Sequence, residues 1–301
     1  MVAGAAILFA SKGLFAKALY ERDVGFELLV AVRAVIAMPL FAWIAVRANS
    51  PAQVIKDGGH EALPMKWRAV LAAVIAGITC YYVGAMVDFW ALTLIDASIE
   101  RVLLFSYPAM VVLIGSLLKR QAPERRVVLA MLMTYAGIWF AMGGIDLHEL
   151  TQNLFGAGLV LIAALTTAIY FLIGERYTHE LGSTRFAAIG MSASAILLAL
   201  HFALFRSFDE LATLQAYDWF LLTVLGVACM FIPGLLQAEG MRRVGAQRAS
   251  IGSTIGPPTT IFLAALFLNE RLNGWQLLGS AMIVVSVLVL SWPKRVVADE
   301  P

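Results

Sequence analysis

The chain has 301 residues, 61% of them hydrophobic and 14% charged, with a mean hydropathy of +0.83. Soluble domains carry about 45–50% apolar residues, so a water-soluble globule is excluded and an integral membrane protein is expected. A net charge of +2 on a pI near 8.6 gives no nucleic-acid surface; basic loop residues instead signal topology and contact anionic lipid head groups.

Apolar runs long enough to cross about 30 Å of hydrocarbon predict ten transmembrane helices, at roughly 2–20, 24–46, 68–92, 97–118, 126–143, 156–177, 184–206, 217–238, 247–268 and 274–292. Span one contains Lys12 and Lys17, which interrupt the apolar run that a cleaved signal peptide needs, so it reads as a retained helix. Lys12 near the middle of span one and Arg33 inside span two each cost about 2.5–3.5 kcal/mol in lipid. They require a partner, a wet cavity or reach to an interface. The sharper expectation is an electropositive midplane that attracts a substrate carboxylate.

Span three carries Gly77, Tyr81, Gly84 and Asp88 on one helical face, either a close-packing stripe or a cavity wall, with Tyr82 flanking it. Asp88 shares a depth with Lys17 of span one and with Glu100 and Arg101 of span four, which permits ion pairs among the three spans, as an outer stabilising cluster or a gate. Span four has Tyr107 before a helix-breaking Pro108. Span six offers Tyr170 with Thr166 and Thr167, and span eight Pro233 with Gln237. Span nine carries Ser250, Ser253 and Thr254 ahead of Pro257 and Pro258, which remove backbone donors and force a kink.

Sliding the chain by about 149 residues lays Ala97 on Ala246, Pro108 on Pro257, Gly77 on Gly226 and Cys80 on Cys229, the two cysteines of the chain. Two repeats of five spans each, residues 1–150 and 151–301, follow, and an odd span count inverts the second copy around a central cavity. The even connections and the C-terminus hold Arg47, Lys56, Lys66, Arg68, Lys119, Arg120, Arg125, Arg126, Arg176, Arg185, Arg242, Arg243, Arg248, Lys294 and Arg295. The odd connections hold Arg22, Arg206 and Arg271. That bias places both termini in the cytoplasm of a bacterial inner-membrane protein.

No GxxxxGK[ST] loop, metal-ligand spacing or nucleophile arrangement is present: His60, His148, His179 and His201 are scattered. The expectation is no cofactor, no metal and no catalysis. Both cysteines read as small packing residues.

Asp96 to Pro108 (DASIERVLLFSYP), Gly245 to Pro257 (GAQRASIGSTIGP) and Leu268 to Leu272 (LNERL) resemble the drug/metabolite transporter superfamily and its EamA-type members. The resemblance implies ten helices in two five-helix repeats and a transport function. Two departures stand out: Gln121 where the first repeat often keeps Glu, and Ser11, Lys12 and Gly13 in place of a Trp-Gly in span one. The length and the aromatic set Tyr81, Tyr82, Tyr107 and Trp90 are most similar to the YddG-like aromatic amino-acid and methionine exporters.

The resulting expectation is a secondary transporter exporting aromatic or large neutral amino acids, or similar small metabolites, by alternating access. Its substrate-binding residues are Lys12, Arg33, Tyr81, Tyr82, Tyr107, Tyr170 and Gln237. Asp88 and Glu100 are candidate proton carriers, and the protein is expected to act as a monomer. The alternatives are a multidrug exporter of the same fold and a membrane-embedded enzyme acting on a lipid-linked substrate.

Overall fold

The structure, a computed structural model, describes residues 2–47, 66–95, 100, 103–141, 154–256 and 274–291. Every regular element among these residues is helical. Arg101, Pro257, Pro258, the LNERL segment, the interior of the 47–67 connection and most of the join between the halves lie outside the described residues.

The first predicted span is two helices, α1 (Val2–Ala10) and α2 (Lys12–Tyr20), interrupted at Ser11. The Ser11 hydroxyl donates to the Leu8 carbonyl at 2.8 Å and the next backbone bond, Phe15 N–H to the Ser11 carbonyl, is stretched to 3.4 Å. Such back-bonding bends helices, and here it places Lys12 at the start of a new helix. α3 (Phe26–Arg47) follows. Span three runs as α4 (Trp67–Gly77), a π-helical segment (Ile78–Gly84) and α5 (Ala85–Leu94).

Pro108 does not kink a continuous span four. It occupies the first turn of α6 (Tyr107–Lys119), where its missing N–H costs nothing, after a turn at Phe105 and Ser106. The Tyr135 hydroxyl of α7 (Arg125–Ala141) donates to the carbonyls of Phe105 at 3.1 Å and Ser106 at 3.2 Å, and accepts the Ala109 N–H at 3.1 Å. One phenol thus satisfies the backbone groups that the break would strand in lipid.

α8 (Leu154–Leu181) and α9 (Ser183–Phe205) are joined by Gly182 alone, at φ 81°, a left-handed conformation that favours glycine. A short α10 (Asp209–Ala212) precedes span eight, which is α11 (Ala216–Gly226), a second π-helical segment (Val227–Phe231) and the first part of α12 (Ile232–Gly252). Pro233 has no N–H for the Cys229 carbonyl, and the widened turn ahead of it absorbs that loss. Its expected kink is therefore a π turn. The connection expected after residue 238 is smaller than its predicted length: helix runs on to Gly245, which reverses the chain at φ 79°. A 3-10 turn (Ser253–Ile255) ends the described part of span nine, and α13 (Gly274–Ser291) forms span ten.

Five of these helical stretches are long and apolar enough to cross a membrane: Phe26–Val46, Trp67–Leu94, Leu154–Leu181, Ser183–Phe205 and Ala216–Ile255. The chain is a multi-pass membrane protein. Packing rests on small residues that let backbones approach. α4 meets α9 where Gly77 lies on the Gly190 backbone, and α11 meets α3 where a Cβ on Gly226 would come within 2.6 Å of the Arg33 carbonyl. α7 packs on α13 through Gly137 and a 2.7 Å hydrogen bond between the Thr134 and Ser286 hydroxyls.

Ion pairs tie the ends of the bundle. At one end Arg22 bonds Asp218, and Gln215 at 2.8 Å, while Arg206 bonds Glu27. At the other, Lys119 meets Glu175 at 2.9 Å and Arg248 meets Glu124 at 3.8 Å. Hydrogen bonding to Asp218 and to Glu27 raises the pKa of Arg22 and of Arg206 above the ordinary arginine value, so both guanidiniums stay charged at any pH a cell meets.

Candidate functional site

A cavity of about 140 Å³ lies between the helices. Lys12 from α2, Arg33 from α3, Tyr81 and Cys80 from the first π segment, and Asp88 and Phe89 from α5 line it from the first half. Thr167 from α8, Cys229 and Met230 from the second π segment, Gln237 from α12 and Ser253 from the 3-10 turn line it from the second. Phe9, Phe105 and Tyr107 add aromatic wall.

Its charges are buried and unequal in partnership. Lys12 is 8% exposed; its ammonium pairs with Asp88 Oδ2 and lies 3.6 Å from Glu100 Oε1. The lysine expected to attract a substrate carboxylate is therefore engaged by two carboxylates of the protein. Asp88 meets Lys12 rather than Lys17, which sits half-buried more than a turn further along α2. Among the described residues, the expected Asp88 and Glu100 of spans three and four both meet span one at Lys12.

Arg33 differs. It is 5% exposed, its guanidinium lies 4.1 Å from the centre of the Phe89 ring, and it enters no ion pair or hydrogen bond among the described residues. A desolvated cation over an aromatic face gains about 2 kcal/mol, against about 2.5–3.5 kcal/mol for a mid-span arginine. The ring offsets part of the cost, and Arg33 is among the residues that line the cavity.

The aromatic candidates separate. Tyr107 bonds the Ser253 hydroxyl and reaches the Ser250 carbonyl at 3.4 Å, which ties the broken span four to span nine at the cavity wall. Tyr81 lies in the wall, edge-on to Tyr170 at 5.1 Å; Tyr170 stands behind it, packed against Phe186, and does not line the cavity. Tyr82 is turned away: its hydroxyl hydrogen-bonds His201 Nδ1 of α9 at 2.9 Å. Trp90 is likewise outside, stacked with Phe26 and edge-on to Phe155. Tyr82→Phe is therefore expected to leave substrate affinity within about two-fold of the parent, which a saturation curve for transport checks.

Of the span-three stripe, Gly77 serves packing, whereas Tyr81, Gly84 and Asp88 line the cavity, with Gly84 also seated on Thr166. Both cysteines line it too, and the Cys229 thiol approaches the Ser11 hydroxyl at 3.4 Å. Phe89 and Tyr135 were missed because an isolated aromatic residue in an apolar span carries no positional signal. No group of three or more His, Cys, Asp or Glu with metal-holding geometry occurs among the described residues.

The sequence profile of the EamA-like transporter family matches residues 1–143 and 154–292. The chain belongs to that family. This EamA-like transporter is 29% identical over 291 residues to the uncharacterized transporter YcbK of Bacillus subtilis (strain 168), covering 96% of this chain and 90% of the relative. It is 23% identical over 276 residues to the uncharacterized transporter sll1319 of Synechocystis sp. (strain ATCC 27184 / PCC 6803 / Kazusa), covering 89% and 80%. A crystal structure at 19% identity superposes with a TM-score of 0.71 over 95% of this chain and 94% of its own, which fixes a shared fold. Membership places the EamA-like chain among transporters rather than enzymes.

Proposed function

We propose that this EamA-like protein is a secondary transporter of the bacterial inner membrane that exports aromatic or other large neutral amino acids, or small metabolites of like chemistry, by alternating access. The observation that carries this reading is Arg33, a buried guanidinium lining the cavity with no ion-pair partner among the described residues. A substrate carboxylate supplies that partner, and Tyr81, Tyr107, Phe89 and Phe105 supply apolar surface for its side chain.

Cavity size supports a small metabolite over a drug. About 140 Å³ is close to the roughly 150 Å³ cavity that takes benzene, and well below the roughly 300–1,000 Å³ of drug-sized pockets. Arg33 also opposes the lipophilic cations of a multidrug exporter. The YddG-like assignment rests on the resemblance stated above.

An inverted ten-helix repeat, with halves at 1–150 and 151–301, is supported by matched irregularities. The π segments begin at Ile78 and Val227, and the close-approach glycines Gly77 and Gly226 precede them at the same offset. Gly77 of the first half packs on the second half's α9, and Gly226 of the second packs on the first half's α3. The end-to-end segregation of the ion pairs supports even connections on one side and odd on the other. Cytoplasmic termini and a monomeric unit complete the reading, with membrane lipid the expected surround.

Counterflow into proteoliposomes tests it. Labelled aromatic, aliphatic and charged amino acids and one lipophilic cation are offered to the purified protein. Saturable exchange of aromatic or large neutral amino acids is expected; exchange of the cation alone refutes the reading in favour of a drug exporter. Insensitivity of that exchange to an imposed pH gradient removes Asp88 and Glu100 as proton carriers.

A further inference from the structure

Arg33 and Asp88 face one cavity, carry opposite charges, are each 5% exposed, and form no ion pair with one another. Asp88 Oδ2 is bound by Lys12, but Asp88 Oδ1 finds no hydrogen-bond donor. Arg33 Nε likewise finds no acceptor. A buried donor and a buried acceptor left open each cost about 1–3 kcal/mol, and more when charged. Opposite charges lining one cavity without pairing directly mark a gap that a molecule bearing both complementary charges fills.

We propose that Asp88 selects the substrate's ammonium group: its Oδ1 accepts from the amine of a zwitterion whose carboxylate Arg33 holds, so that the substrate class is α-amino acids and excludes the matching 2-hydroxy and 2-oxo acids. This rests on the cavity being the substrate site. Lys12 positions the selector: by holding Oδ2 it fixes the carboxylate's orientation and leaves one oxygen for the ligand. Phe89, next to Asp88 on α5, bears the Arg33 guanidinium on its ring, so the two charged groups are set by one helical turn. A site built to accept a buried amine rejects the analogue lacking it, because the carboxylate is then desolvated without a partner.

The test is counterflow by the full-length protein with three labelled probes of one skeleton: L-phenylalanine, L-3-phenyllactate and phenylpyruvate. The parent is expected to favour phenylalanine over both acids by at least ten-fold. Asp88→Asn is expected to erase that preference, lowering phenylalanine uptake while phenyllactate uptake holds or rises; Arg33→Gln lowers all three together. Because Asp88→Asn leaves Lys12 with Glu100 alone, the double variant Lys12→Gln with Asp88→Asn is run beside it, and the same lost preference is expected. Parent protein that carries phenyllactate as well as phenylalanine overturns the proposal, as does an Asp88→Asn variant that loses both in equal proportion. Parent protein that exchanges other solutes but none of the three overturns the amino-acid reading itself, and with it this selector.

Discussion

Arg33→Gln is expected to abolish most transport while leaving the fold intact or firmer. The parent guanidinium is buried with no direct ion-pair partner among the described residues, so removing its charge relieves a desolvation cost without breaking a salt bridge. What is lost is a charge-assisted contact to the substrate carboxylate, worth about 1.5–3 kcal/mol, or roughly one to two orders of magnitude in apparent affinity. Thermal unfolding in detergent and counterflow, read together, separate these directions. A fall in the unfolding midpoint with unchanged transport shows Arg33 to be a packing residue, and Arg33→Lys, which keeps the charge without the planar fork, is expected to recover only part of the rate.

Gly77→Ala is expected to be the most damaging single-methyl change in the fold. A Cβ at that position falls on the Gly190 backbone of α9, which no rotamer change relieves. Overpacking of this kind costs about 1–3 kcal/mol where side chains give way, and the upper end or beyond applies where the obstacle is backbone. Separating α4 from α9 also displaces the π segment that follows and the cavity wall it carries. The measurement is yield and thermal midpoint in detergent, with Gly158→Ala as the control. Gly158 has open space around its missing Cβ and a helical backbone, so its substitution is expected to be neutral or slightly stabilising. Equal behaviour of the two variants removes the Gly77–Gly190 crossing as a tight contact.

Several features of the site were readable from residue type and spacing alone. The expense of a charge in lipid pointed to Lys12 and Arg33, and helical spacing put Tyr81, Gly84 and Asp88 on one face; all five line the cavity. The pairing of Lys12 with Asp88 spans 76 residues and depends on a break at Ser11 that only a local hydroxyl-to-carbonyl bond reveals. Tyr82 and Tyr170 were misplaced for different reasons. A π segment carries more residues per turn than an α-helix, so angular positions computed for Tyr82 drift across Ile78–Gly84. Tyr170 lies on a face set by which neighbour α8 meets, and that is decided by tertiary packing with Tyr81 and Phe186. The helix ends at Gly182 and Gly245 needed backbone dihedral angles that composition does not display.

The three charged groups that line the cavity, with Glu100 beside Lys12, have an electrical meaning. At their ordinary charges Lys12 and Arg33 balance Asp88 and Glu100, so these four described groups sum to zero. Moving one net charge through the membrane field involves about 2.3 kcal/mol per 100 mV; a neutral carrier reorienting with a zwitterion aboard moves none. In a carrier that takes a zwitterion and no proton, loaded and empty strokes run at the same cost whatever the membrane voltage, and net flow follows the cargo gradient.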